Sequence, residues 1–163
     1  MNDPFPLNPA DRPSRLPSYI HATNVVLVAL GFLTGAVLLY FDIVVEEPVA
    51  KPEWLQRILI VHGCLVPFQT ALFGYLCAQH IRYGWQLKAN QVSGFAMESC
   101  FVGLILTGVG LYYLGSEPLR ELCQQIHSVF GVALPITLGV HWFQATRWVK
   151  SVETSAAAPR FNN

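Results

Sequence analysis

Four long apolar stretches alternate with short polar ones along this chain. The first runs from about Ser18 to Phe41 and stops at Asp42. The second runs from about Trp54 to Ala78 or His80, the third from about Val92 to Leu114, and the fourth from about Leu119 to Ala145. Each is at least as long as the ~20 residues an α-helix needs to cross a bilayer. The connections hold the breakers and charges: Glu46, Glu47, Pro48, Pro52 and Glu53 after the first stretch, Arg82 and Lys88 after the second, and Gly115-Ser116-Glu117-Pro118 after the third. The pattern predicts an all-α integral membrane protein, a four-helix transmembrane bundle over residues 18–150. Residues 1–17, with Pro4, Pro6, Pro9, Pro13 and Pro17, read as a disordered arm, and residues 151–163 as a disordered tail. The arm lacks the charged start, apolar run and cleavage site of a secretory signal, so insertion by the first span is expected.

Composition supports this. Of 163 residues, 53% are hydrophobic and 12% charged, about half the charge of an ordinary soluble domain. A formal net charge of zero removes the electrostatic case for nucleic acid as a partner and leaves membrane lipid. Cys64, Cys77, Cys100 and Cys123 form no C-x-x-C pair, which argues against a zinc knuckle, a thioredoxin site and covalently attached haem. Four spans place both termini on one side. Arg12, Arg15, Arg82, Lys88, Arg147, Lys150 and Arg160 fall on that side, and Lys51, Arg57 and Arg120 on the other. The positive-inside rule then puts both termini in the cytoplasm. Tyr40, Trp54, Tyr112 and Tyr113 at one set of span ends, and Trp85, Trp142 and Trp148 at the other, make two aromatic belts.

The candidate chemistry lies in the five histidines, all within or at the ends of spans, where ionisable side chains are rare. His127 and His141 are 14 residues apart in the fourth span. That is about 40° short of four turns, so both rings leave nearly one face, some 21 Å apart along the axis. Other helices offer partners at matching depth. His62 is five residues inside Arg57, and His127 seven beyond Arg120; His21 is six inside Arg15, and His141 six inside Arg147. Two same-depth pairs from two helices each suit bis-histidine haem: His62 with His127, and His21 with His141. His80 is the alternative inner ligand. It lies 18 residues from His62, on the same face, but only two from Arg82, and depth favours His21. Gly63 and Gly131 would leave room for a macrocycle. Read singly, each histidine could equally be a helix-to-helix hydrogen bond.

Other polar residues in the spans have plain structural readings. Glu98 is either an interfacial carboxylate paired with Lys88 or Arg147, or a proton carrier beside the inner histidines. Asn24 and Gln69 are expected to bridge helices, and Pro67 and Pro135 to kink them.

With Tyr19-Ile20-His21, Val61-His62-Gly63, and Ile126-His127 to His141-Trp142 in these places, residues 18–150 resemble the bacterial cytochrome b561 family. Family members often carry Trp after the first histidine; this chain has Ala22. The resemblance implies a multi-pass protein of the bacterial inner membrane with two non-covalent b haems. It further implies electron transfer between the quinone pool and a redox partner, as a subunit of a larger redox complex or as a stand-alone quinone-linked oxidoreductase. A haem-free structural or assembly subunit is the reading from another class.

Overall fold

The computed structural model describes residues 16–44, 52–87 and 90–157. The expected N-terminal arm up to residue 15 and the end of the expected tail, residues 158–163, lie outside them. Among the described residues the regular structure is entirely helical: α1 (Ser18–Val44), α2 (Glu53–Leu76), a π-helical turn (Cys77–Ile81), α3 (Arg82–Leu87), α4 (Gln91–Tyr113) and α5 (Glu117–Ala157). The stretch from α2 through the π turn into α3 is one continuous rod, so four helices are long and apolar enough to cross a membrane.

Local chemistry sets the ends. Pro52, at φ −64° and ψ 146°, holds the chain extended just before α2, and Glu53 sits in the first turn, at the positive end of the helix dipole. Asn90 makes the turn between α3 and α4 in the left-handed conformation, φ 52°, which Asn tolerates better than most residues. Pro118 lies in the first turn of α5, where its missing N–H leaves no bond unmade. Two boundaries differ from the sequence expectation. The second rod continues to Leu87 rather than ending near His80, because a π turn absorbs the change and nothing before Leu87 breaks it. The last helix continues to Ala157, because no Gly or Pro interrupts it after Ala145.

α1 packs on α2 and α5, α4 packs on α5, and α2 touches α4, which closes the bundle. Its core is at mid-length: Val28 of α1, Met97, Cys100 and Phe101 of α4, and Leu134 of α5, with Phe73 of α2 against them. The Phe73 and Phe101 rings stack at 5.2 Å, 18° from parallel. Close helix approach is built on small residues. A Cβ on Gly103 would run into the Phe130 ring, and one on Gly31 would lie 2.8 Å from Gln69 Nε2. Gln69 Nε2 donates to the Leu27 carbonyl at 2.9 Å, tying α2 to α1. Gln124 donates to Asp42, tying the start of α5 to the end of α1. The outer surface is apolar: Leu33, Phe68, Leu106, Val129 and Ile136 are each at least 60% exposed. A surface of this kind suits lipid as its solvent.

Candidate functional site

Four of the five histidines meet in two pairs between the second rod and α5. The His62 ring of α2 faces the His127 ring of α5 with centroids 6.2 Å apart and planes at 78°. The His80 ring of the π turn faces the His141 ring of α5, also at 6.2 Å, with planes at 87°. The first pair lies towards the end where α2 and α5 begin, called here the far end. The second lies towards the terminal end, where α1 begins and α5 finishes. The mid-length core of Phe73, Phe101 and Leu134 separates them in sequence on every helix concerned.

His21 packs on the neighbour of His141 rather than on a histidine ring. Its ring packs on Trp142, centroids 5.9 Å apart and 58° from parallel. Depth counting favoured His21 as the partner of His141; the fold puts His80 there instead. The reason is the longer second rod. Measured from Arg82, His80 looks like a residue at the membrane surface, but the helix runs on to Leu87. That continuation keeps His80 inside the bundle, on the half-buried side of the rod. The π turn that contains it widens the helix there, a distortion frequent at functional sites.

The pair spacing has a chemical meaning. An imidazole nitrogen binds a metal at about 2 Å, and the ring centre lies roughly 1 Å behind it, so two axial imidazoles sit about 6 Å apart centre to centre. The angle between planes does not matter, since both rings can contain the shared axis at any rotation. No three His, Cys, Asp or Glu side chains converge among the described residues. Each pair would offer two imidazole nitrogens to a metal, which would suit one whose other positions are filled by a macrocycle.

The space around the pairs differs. A cavity of about 330 Å³ adjoins His62 and His127, lined also by Gly31, Gly35, Phe101 and Leu134, within the range of cofactor pockets. The cleft at His80 and His141, lined by Trp85, Gly94 and Met97, encloses only about 40 Å³. The far-end pair thus combines the ring spacing with an adjoining cavity. The terminal-end pair has the same spacing, but its cleft is closed around it and would have to open to admit a macrocycle.

The sequence reading missed three hydroxyls. Thr34 Oγ1 of α1 lies 2.8 Å from His62 Nδ1. Thr107 Oγ1 of α4 lies 2.9 Å from His127 Nδ1. Ser93 Oγ of α4 lies 3.1 Å from His141 Nδ1. Gly63, expected to make room for a macrocycle, instead accommodates the Tyr112 hydroxyl. Gly131 does line the far-end cavity. Glu98 is half-buried on α4, and Lys88, one suggested partner, lies outside the described residues. The guanidinium of Arg147, the other, sits over the Phe143 ring at 4.9 Å. Gln69 bridges helices as its setting predicted, and Asn24 is buried. No known family, curated protein or solved structure matches this chain.

Proposed function

We propose that this protein is a membrane cytochrome b that carries electrons between the quinone pool and a redox partner through two non-covalent b haems. The observation that supports it most is the pair of facing histidines at each of two depths, both at 6.2 Å. The axial ligands in this reading are His62 with His127, and His80 with His141. His21 packs beside the second pair on Trp142. The haem, when bound, supplies reversible one-electron exchange at iron. The chain's own part is to hold neutral imidazoles on two rigid helices and to surround them with an apolar interior that keeps water away. Along α5 the two ligating histidines are 14 residues apart, about 21 Å of helix, a length that carries charge from one half of the membrane to the other.

The setting proposed for it is a bacterial inner membrane, with both termini in the cytoplasm by the positive-inside rule. The resemblance to the cytochrome b561 family rests on the four spans and the histidine pattern. It supports a role as the membrane subunit of a larger redox complex, in which a partner supplies or accepts the electrons.

The test is a reduced-minus-oxidised spectrum of the purified protein, with haem counted per chain. About two b haems per chain are expected. The terminal-end haem should be released first on washing, because its cleft must open to take it. His80→Ala should remove one haem and His21→Ala neither. Protein made with ample haem that shows no Soret band would end this reading and leave a four-helix structural subunit in its place.

A further inference from the structure

Three of the paired histidines rest on the same local arrangement, a hydroxyl residue followed by glycine. His62 meets Thr34-Gly35 of α1, His127 meets Thr107-Gly108 of α4, and His141 meets Ser93-Gly94 of α4. In each case the hydroxyl reaches the ring's Nδ1, and the glycine's missing side chain faces the ring's Cε1, at 3.2 Å for Gly35, 3.7 Å for Gly108 and 3.8 Å for Gly94. The two dipeptides of α4 are 14 residues apart, as are the two histidines of α5. The helices run antiparallel, so one face of α4 receives both rings of α5.

Each hydroxyl also has a carbonyl of its own helix within hydrogen-bond reach. A Ser or Thr hydroxyl carries one hydrogen. Thr107 Oγ1 gives it to the Gly103 carbonyl at 2.6 Å. Thr34 Oγ1 gives it to the Leu30 carbonyl at 2.7 Å. Ser93 Oγ gives it to the Asn90 carbonyl at 3.2 Å. When that hydrogen goes to the helix carbonyl, the oxygen is left as an acceptor for the ring. Nδ1 must then carry the imidazole proton, and Nε2 of the neutral ring is left with its lone pair free.

We propose that Thr34, Thr107 and Ser93 are positioning residues that lock His62, His127 and His141 in the Nδ1–H tautomer, so that Nε2 of each is left bare and, at the far-end pair, is the ligating nitrogen. The final step, ligation of haem iron, rests on the function proposed above; the tautomer does not. The lock also stiffens each ring about its Cα–Cβ and Cβ–Cγ bonds, because a ring bonded at Nδ1 to a second helix cannot rotate without breaking that bond. A hydroxyl is a weaker acceptor than a carboxylate, so it orients the imidazole without pulling it towards the anion. The strength of the lock follows the distances. The two threonine contacts are shortest, and Ser93, with longer bonds on both sides, is the weakest of the three.

The experiment uses the full chain in lipid nanodiscs, with ¹⁵N-labelled histidine, in haem-free and haem-loaded forms. Nitrogen spectra of the haem-free protein read the tautomer directly. Wild type should show a protonated Nδ1 and a bare Nε2 at His62 and His127. Thr107→Val keeps the side-chain volume and removes the acceptor, and it should release His127 alone to a mixture of tautomers. Thr107→Ser should restore the single tautomer, which separates the hydroxyl's role from packing. In the loaded protein Thr107→Val should weaken haem binding at the far end by about 10-fold or more. A wild-type spectrum with Nε2 protonated at His127, or a Thr107→Val spectrum identical to wild type, would overturn the proposal. Protein that takes up no haem but shows the single tautomer would sink the cytochrome reading and keep the lock.

Discussion

At the scale of single residues, the decisive positions are small. Gly35 stands 3.2 Å, at its absent Cβ, from the Cε1 atom of His62, closer than an ordinary contact. Gly35→Ala should therefore push the His62 ring by a few tenths of an ångström and lower haem occupancy at the far end. At Gly108 and Gly94 the same measure is 3.7 and 3.8 Å, normal van der Waals contact. Gly108→Ala should leave haem content per chain unchanged, and spectra of the two variants side by side check this. If Gly108→Ala lost haem as readily as Gly35→Ala, the spacing at the rings would not be what sets occupancy. The glycines of this chain thus do different work: Gly35 admits a ring edge, Gly31 admits the Gln69 amide, and Gly103 admits Phe130.

At the scale of elements, the α4–α5 pairing holds two ring cradles in register, and its close approach depends on Gly103 under Phe130. Gly103→Ala overpacks this contact and should lower stability by about 1–3 kcal/mol, read from unfolding in mild detergent. Phe130→Ala on that background should recover part of the loss, because the overlapping ring is gone; two losses that simply add would show that the residues do not interact. The second rod illustrates how an element boundary changes a functional assignment. Its sequence turns polar at Arg82, and a helix ending there makes His80 a surface residue. The backbone instead passes through a π turn at Cys77–Ile81 and continues as α3. Hydropathy cannot show this, because it registers where lipid stops and not where the helix stops.

At the scale of the whole molecule, the bundle carries its polar chemistry inside and its apolar side chains outside, the arrangement a bilayer selects. The expected orientation is testable with reporters fused at the C-terminus and in the connection near Lys51. Both termini in the cytoplasm predicts activity of a cytoplasmic reporter at the C-terminus and of an exported one at the connection. The reverse result would mean that the excess of Lys and Arg on the terminal side does not set topology here.

The sequence by itself determined the four helices, their order and the histidines placed within them. Length and apolar runs suffice for that, since a backbone in lipid must bond within itself and only a helix does so over a single span. It also determined that His127 and His141 share a face, because the helical repeat alone fixes that. The His62 and His127 match followed from depth, since both residues lie well inside their helices. Tertiary structure decided what depth could not. It set His80 rather than His21 against His141, since residues at equal depth on different helices are distinguished only by how each helix is turned about its axis. It also brought Thr34, Thr107 and Ser93 to the imidazoles. The trace of that contact was present in the chain, as Ser/Thr-Gly dipeptides spaced like the histidines they receive. It became readable only once α4 and α5 were laid side by side, because a hydrogen bond between helices depends on their relative translation, which no periodicity within one helix records.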